Sequence, residues 1–139
     1  MQGLGTGKQT VMAFIDAVWV HGDLEALDRF WTGSCVNHAA PAGHDVGLVA
    51  LRNYHESFAA AFAAFSDSSI QLLQQVEEGD RVVTQLLTSA RHTGEFAGMS
   101  PTGKQVTVVT IRIDRLVDSK IAEHWSVADI SGLMEQLQT

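Results

Sequence analysis

Residues 105–127 read QVTVVTIRIDRLVDSKIAEHWSV, and this stretch decides the fold. It consists of two runs rich in β-branched residues on either side of Asp118-Ser119-Lys120, a tripeptide with the composition of a tight turn. Such a pattern is typical of two antiparallel strands joined by a hairpin. Glu78-Gly79-Asp80 interrupts an earlier apolar stretch in the same way. Strands are therefore predicted over residues 70–76, 82–91, 105–117 and 121–127.

In the N-terminal half, the apolar residues recur at the spacing of helices instead. Thr6-x-x-Gln9 is typical of a capping box, and the apolar residues after it recur at helical intervals over 7–20. Asp23 and Asp45 are predicted to cap a short second helix and a long third helix, and Asp129 a terminal helix. Helices followed by an antiparallel meander indicate an α+β fold. The simplest form is a curved, mainly antiparallel sheet wrapped around the N-terminal helices as a cone-shaped barrel.

Length and composition exclude several classes of protein. The 139 residues, of which 45% are hydrophobic and 18% are charged, predict a single globular domain over 1–139. A formal net charge of −7 with scattered basic residues argues against a nucleic-acid partner. The single Cys35 cannot form an internal disulfide, and no apolar run is long enough for a membrane span. A cytoplasmic location is predicted, with neither nucleic acid nor membrane as a partner.

Motifs spread along the chain resemble those of one family. They are Val36-Asn37-His38, Phe62-Ala-Ala-Phe65-Ser-Asp67, Glu78-Gly79-Asp80, the glycine-containing run from His92 to Lys104, and Lys120-Ile121-x-Glu123-His124-Trp125. With the first helix, they make nearly the whole chain similar to the SnoaL-like polyketide cyclases of the nuclear-transport-factor-2-like superfold. The resemblance implies a cone-shaped barrel with a deep apolar pocket, an aromatic polyketide ligand, dimers or tetramers, and no metal or organic cofactor. It also implies, for the founding cyclases, aldol ring closure by an aspartate near the end of the final strand and a histidine on the preceding strand.

The chain departs from the family pattern at both of these positions. Aligning Lys120-Ile121 and His124 with the family puts Ser126 where the cyclases have the aspartate and Arg112 where they have the histidine. Serine does not exchange a proton as a carboxylate does, and arginine stays protonated throughout the physiological range. A shifted alignment brings Asp129 to the aspartate position, although its place before Ile-Ser-Gly-Leu favours helix capping. The acid/base pair of an aldol cyclase is therefore predicted to be missing.

The family also resembles small proteins of anthracycline pathways that are assigned as hydroxylases and in which this pair is replaced. The resemblance favours hydroxylation of an aromatic polyketide, an anthracycline precursor, in which an electron-rich quinol or enolate reacts with dioxygen while Arg112 holds the anion. A separate reductase is then a candidate partner. The alternatives are a cyclase that performs aldol ring closure and a noncatalytic polyketide-binding protein. The predicted catalytic residues are Arg112, His124, Ser126 and Asp129.

Alternation along the strands selects the residues that can share a pocket, since side chains two residues apart lie on one face. His124 and Ser126 share a face, as do Thr110 and Arg112, although the sequence does not say which face is interior. Asn37 is suited either to orient a ligand carbonyl or to form a turn. The predicted substrate-binding residues are Phe14, Asn37, His38, Tyr54, Phe58, His92 and Thr110.

Bound cofactors are not expected. His92, His124 and Asp129 are residue types of a non-haem iron site, but no compact ligand spacing supports such a site. No glycine-rich turn between a strand and a helix predicts flavin or nicotinamide binding. His92 is equally well explained as a histidine of the pocket rim that is bonded to the backbone.

A homodimer is the expected assembly. A curved sheet has an outer face, and Val109, Ile111 and Ile113 would lie on it in contact with water. Packing two such sheets together would cover them.

Overall fold

The first helix begins at the predicted capping box. In this computed structural model, which describes residues 6–139, the Thr6 hydroxyl accepts a hydrogen bond from the Gln9 N–H, and the Gln9 side chain accepts one from the Thr6 N–H. Helix α1 spans Gly7–Phe14 and passes directly into a π-helical segment, Ile15–Val20. The predicted helix over 7–20 is thus confirmed, with wider turns in its second half.

Of the three aspartates predicted to cap later helices, one makes the capping bond. These elements are a 3₁₀ turn, Leu24–Ala26, and helices α2, Leu27–Phe30, α3, Leu48–Ala61, and α4, Ile130–Gln138. Asp129 caps α4 as predicted, because its carboxylate accepts a hydrogen bond from the Gly132 N–H. Asp23 makes no capping bond, and α3 begins after Gly47 rather than after Asp45. Gly47 has φ 91°, a left-handed conformation that favours glycine over aspartate.

Five strands form one curved sheet in the order β1-β5-β4-β3-β2. They are β1, Trp31–Asn37, β2, Phe65–Glu78, β3, Arg81–His92, β4, Gln105–Val117, and β5, Lys120–Ala128. Neighbours are antiparallel except β1 and β5, which are parallel. The predicted fold class, a mainly antiparallel curved sheet with N-terminal helices, is confirmed. The assignment of residues 1–139 to one domain stays a prediction.

Alternation on the central strands identifies the interior face of the sheet. On β3, Val82 and Thr84 are buried, while on β4 the buried residues include Arg112 and Asp114. The register pairs Thr84 with Arg112, so their side chains lie on the same face. That face is the one covered by the helices, because Val82 belongs to the same apolar cluster as the residues of α1. Polar side chains of β4 therefore point into the core.

The core beside these polar groups is tightly closed. Phe14, Trp31, Leu51 and Ile121 are each at most 1% exposed, and they come from α1, β1, α3 and β5 respectively. Each such side chain stabilises the fold by roughly 1.5–3 kcal/mol relative to an exposed one. The helices and the sheet thus pack together around the polar side chains of β4.

Within residues 6–139, none of the helices has the length and apolarity that crossing a membrane requires.

Candidate functional site

A cavity of about 690 Å³ lies between the helices and the inner face of the sheet. Its volume is within the range of pockets that enclose small organic ligands. Most of its wall is apolar and aromatic, including Phe14, Trp19, Trp31, Tyr54, Phe58 and Leu86. Polar side chains also line it, and three that are bonded to one network, Arg112, His124 and Ser126, lie on β4 and β5.

Asp114 holds this network together. Its carboxylate is fully buried, and its Oδ2 accepts a hydrogen bond from Arg112 Nε at 2.8 Å. Its Oδ1 accepts two more, from Arg112 Nη2 at 3.0 Å and from His124 Nδ1 at 2.8 Å. Two oxygens thus receive three donors, which satisfies a buried carboxylate well.

The charge of Asp114 follows from these neighbours. Burial alone would raise the pKa of its carboxyl, but the charge of Arg112 and the hydrogen bonds from His124 and Arg112 lower the pKa to about 2. The carboxylate is therefore ionised at neutral pH. Since an ionised carboxylate only accepts hydrogen bonds, the His124 Nδ1 that faces it must carry a proton.

His124 is held in its neutral form. Burial lowers the pKa of its imidazole below the usual 6.5, and the positive charge of Arg112, whose Nη2 lies 3.3 Å from Nδ1, lowers it further. The hydrogen bond and the charge of Asp114 oppose this shift without cancelling it. With Nδ1 protonated and the ring neutral, Nε2 has a free lone pair and is suited to act as a base.

Ser126 is the residue that Nε2 contacts. The Ser126 Oγ lies 3.1 Å from His124 Nε2, and the serine hydroxyl donates because the nitrogen has no proton. Both side chains are on β5, two residues apart, and therefore on one face of the strand. Asp114, His124 and Ser126 form a continuous chain of hydrogen bonds that ends at the cavity.

Three other lining residues keep a buried polar atom without a partner in the described part of the chain. The atoms are Trp31 Nε1, Asn37 Nδ2 and His55 Nε2. Asn37 forms the turn that the sequence allows, since its Oδ1 accepts a hydrogen bond from the Ala39 N–H, while its amide nitrogen stays unpaired within residues 6–139. Buried polar groups without partners are rare, and of the four in residues 6–139 only His92 Nε2 lies away from the cavity wall.

Most of the predicted site residues meet at this cavity. Arg112, His124 and Ser126 do so from the sheet. The other predicted residues that line it are Phe14, Asn37, Tyr54, Phe58 and Thr110. Tyr54 is a neutral donor there, because burial raises the pKa of its phenol.

Three predicted residues lie elsewhere. His38 is exposed, and its Nε2 contacts Glu123 Oε2 at 2.7 Å while its ring stacks on Trp125. His92 is fully buried, and its Nδ1 accepts a hydrogen bond from the Thr102 N–H. Asp129 is exposed and caps α4. These three residues do not line the cavity. Asp129 is the helix cap that its sequence context favours, and His92 is bonded to the backbone, as its alternative explanation has it.

Sequence reasoning missed Asp114 and His55. Asp114 lies two residues beyond Arg112, so the alternation that grouped Thr110 with Arg112 reaches it in one more step. His55 is 5% exposed on α3, where its Nδ1 donates to the Leu51 carbonyl. Burial lowers the pKa of its imidazole to about 4, so it lines the cavity as a neutral ring.

No group of three histidine, cysteine, aspartate or glutamate side chains suited to a metal ion occurs among residues 6–139. In particular, His92, His124 and Asp129 do not come together as a ligand set, since they bind Thr102, Asp114 and the start of α4 respectively.

Comparison with known sequences identifies relatives of this chain. The profile of the SnoaL-like polyketide cyclase family matches residues 9–137. Aklanonic acid methyl ester cyclase DnrD of Streptomyces peucetius is 34% identical over 87 residues, which are 59% of this chain and 60% of that protein. Nogalonic acid methyl ester cyclase of Streptomyces nogalater is 32% identical over 76 residues, 54% of this chain and 57% of that protein. The match thus spans less than two thirds of either relative.

A solved structure extends the likeness to the whole fold. Wild-type IdmH from Streptomyces antibioticus superposes with a TM-score of 0.81 at 26% identity, covering 97% of this chain and 100% of that one. The two chains therefore share the fold over nearly their whole length.

The predicted hydroxylation is wrong. Curated relatives of this chain are named as methyl ester cyclases, which favours the cyclase alternative. The hydroxylase prediction, and with it the separate reductase, depended on the loss of an acid/base pair at the positions of Ser126 and Arg112. The fold supplies a buried carboxylate and histidine nonetheless, at Asp114 and His124.

Proposed function

Because the chain belongs to the SnoaL-like polyketide cyclase family, we propose that it closes a ring in an aromatic polyketide ester by intramolecular aldol addition. The observation that carries the proposal is the hydrogen-bonded pair of His124 and Asp114, which presents an unprotonated imidazole nitrogen toward an apolar cavity. A histidine oriented by a buried carboxylate is a common arrangement for general acid/base catalysis.

The first step is proton removal. His124 Nε2 takes the proton from a carbon between two carbonyl groups of the substrate, once the Ser126 hydroxyl has turned away from it. The imidazole becomes an imidazolium, whose Nδ1–H stays bonded to the Asp114 carboxylate at 2.8 Å. The resulting enolate is an anion, and the guanidinium of Arg112 is the cation at the cavity wall that stabilises it.

The second step forms the ring. The enolate carbon attacks a ketone carbon of the same molecule, and the ketone oxygen becomes an alkoxide. This alkoxide takes the proton back from His124 Nε2 and becomes the hydroxyl of the product. The proton that His124 takes from the substrate is returned to the product, so the reaction needs no oxidant, reductant or external base.

The cavity wall supports an aromatic polyketide as the substrate. The aromatic side chains of Trp19, Tyr54 and Phe58 line the cavity, and their flat faces favour a ligand with flat, apolar rings. The unpaired amide of Asn37 is a candidate donor to a substrate carbonyl. Burying a ligand carbonyl without such a donor would cost roughly 1–3 kcal/mol.

A homodimer through the outer face of the sheet remains part of the proposal. Val127 on β5 and Ile111 on β4 are paired across the two strands, and they are 77% and 45% exposed. Neighbouring apolar side chains in contact with water on a sheet face favour a packed interface.

The test is an assay with aklanonic acid methyl ester, the substrate in the name of one relative. Conversion to a product of unchanged mass with one ring more, at the same rate with and without oxygen, is the expected result. His124→Gln should lower the rate by about 100-fold or more, as loss of a general base does. His44→Gln, which removes an exposed histidine outside the cavity, is the matched control and should keep the wild-type rate. Oxygen uptake, or full activity of His124→Gln, would overturn the proposal.

A further inference from the structure

The hydrogen bonds of Ser126, His124 and Asp114 connect a hydroxyl, an imidazole and a carboxylate in one line. The Ser126 Oγ is 3.1 Å from His124 Nε2, and His124 Nδ1 is 2.8 Å from Asp114 Oδ1. These are the contacts that connect nucleophile to base and base to orienting acid in serine hydrolases, a constellation recognised by geometry and not by fold or chain order. An aldol reaction needs the imidazole but makes no use of a serine hydroxyl bonded to it.

The structure assigns to this chain a second activity: Ser126, activated by His124 and Asp114, is a nucleophile that hydrolyses carboxylic esters bound in the cavity. The inference shares its base with the proposed ring closure and therefore rests on that assignment of His124. It goes beyond ring closure in the bond that is broken, the reactant that is consumed and the product.

A cation is the cross-strand neighbour of the proposed nucleophile. Arg112 is the residue that pairs directly with Ser126 across β4 and β5. Its Nε and Nη2 donate to Asp114, while Nη1 makes no hydrogen bond within residues 6–139. A free N–H on a fixed positive charge beside the nucleophile is suited to stabilise the tetrahedral intermediate.

The reaction balances with water as the co-reactant. Ser126 Oγ attacks the ester carbonyl carbon while its proton passes to His124 Nε2, and the carbonyl oxygen becomes the oxyanion. Collapse of this intermediate breaks the bond to the alkoxy group, which leaves with the proton from Nε2 as an alcohol. Water then attacks the acyl-serine, giving one proton to Nε2 and releasing the carboxylic acid, and Nε2 returns its proton to Ser126.

The wall of the cavity defines the class of ester. The wall is mostly apolar and aromatic. Among residues 6–139, Arg112 is the cationic side chain that lines it. Uncharged esters with an apolar acyl chain or ring therefore fit, and the methyl ester of a polyketide acid belongs to this class. Such a substrate would give two separable products: a ring-closed isomer, or a free acid lighter by one methylene plus methanol.

Labelling with a fluorophosphonate tests for the nucleophile directly. The wild-type protein should form a covalent adduct, and peptide mapping should place it on Ser126. Ser126→Ala should remain unlabelled, whereas Ser69→Ala, at an exposed serine outside the cavity wall, should still be labelled. The labelling rate should fall as the pH is lowered, because protonated His124 cannot accept the proton of Ser126. No adduct on the folded wild-type protein would overturn the inference, whatever the behaviour of the variants.

Hydrolysis of p-nitrophenyl butyrate provides the second measurement. We expect an initial burst of nitrophenol from the wild-type protein and a loss of about 100-fold or more in Ser126→Ala, whose folding is checked by its melting temperature. Equal turnover by both proteins would overturn the inference. Failure of the inference and failure of the proposed function are distinguishable. A protein that is labelled at Ser126 but does not close rings contradicts only the proposed function, and one that closes rings but is not labelled contradicts only the hydrolase.

Discussion

Asp114 Oδ1 lies 2.8 Å from His124 Nδ1, and the two residues are direct neighbours across β4 and β5. The carboxylate determines which imidazole nitrogen carries the proton, so Nε2 is left as a base. The same carboxylate neutralises Arg112 in the interior. One residue therefore supports both the chemistry of the site and the stability of the core.

Asp114→Asn should lower both the stability of the protein and the rate of ring closure. Removing one partner of a buried ion pair leaves Arg112 without a counter-charge, and we expect a loss of about 3 kcal/mol or more in the free energy of unfolding. Ring closure should fall by about 100-fold because the tautomer of His124 is no longer enforced. Urea unfolding and the ring-closure assay measure the two effects.

Glu123→Gln is the matched control for Asp114→Asn. Glu123 also accepts a hydrogen bond from an arginine, Arg115, but this pair is 24% and 30% exposed. Exposed pairs contribute about 0–1 kcal/mol. A loss of stability as large in Glu123→Gln as in Asp114→Asn would contradict the role assigned to the buried pair.

The rate of ring closure should depend on the protonation of His124. The base is active while the ring is neutral, and the pKa is lowered from 6.5 by burial and by Arg112. Activity should therefore be fully present near pH 7 and be lost as the pH falls through a midpoint below 6.5. In Arg112→Gln the cation is gone, the imidazolium is less disfavoured, and the midpoint should move to higher pH.

Profiles of kcat/KM against pH, with NMR titration of the His124 ring, measure this shift. Arg115→Gln removes an arginine from the same strand but from the other face, and it should leave the midpoint in place. An acid limb that does not move in Arg112→Gln would show that Arg112 does not act on His124.

His55 should make the protein sensitive to acid. Burial holds its folded pKa at about 4, below the usual 6.5, so between these values the unfolded chain takes up a proton that the folded chain does not. Stability from this group is complete above pH 6.5 and declines as the pH falls toward 4, by about 3 kcal/mol in total.

His55→Phe keeps an aromatic ring next to Phe14 and Trp19 and removes the titration. Its free energy of unfolding should vary less than that of the wild type between pH 7 and pH 4.5. His44→Gln should keep the wild-type dependence. Identical slopes for wild type and His55→Phe would mean that another group is responsible.

Val127→Glu should prevent the proposed dimer. It places a charge on the outer face of β5 at a side chain that is 77% exposed, and burying that charge against a second sheet is unfavourable. Sedimentation velocity should give a dimer for the wild type and a monomer for the variant. Val49→Glu, at a helical position that is also 77% exposed, should remain dimeric. A wild-type monomer would refute the dimer.

Local patterns in the chain were sufficient to predict most of the secondary structure. The capping box of Thr6 and Gln9 and the cap at Asp129 depend on residues within one helical turn, so they are visible without the fold. The start of α3 was not, because the left-handed conformation of Gly47 depends on how the preceding loop meets β1. The β4–β5 hairpin follows from alternation and the turn, but its register does not.

That register is what brings Asp114 to His124. Pairing outward from Val117 with Lys120 and Leu116 with Ile121 would put Asp114 opposite Glu123, an outward-facing residue. An irregularity between Arg115 and Leu116 shifts the partner by one residue and brings Asp114 opposite His124. A bulge reverses the face of every following side chain relative to the partner strand, and its position is set by packing.

The amino-acid sequence alone determined the α+β class, the order of helices and strands, the family resemblance, and three polar residues of the cavity wall, Arg112, His124 and Ser126. The class and the order of elements depend on periodicity, which is a property of short segments, whereas the three polar residues were selected by alignment with the resembled family. The tertiary structure alone decided that Asp114 completes the site, that His38 and His92 stay outside it, and that His124 is neutral with an unprotonated Nε2. Those facts arise from strand register and from the low polarity of the interior, which exist only once distant segments have packed together.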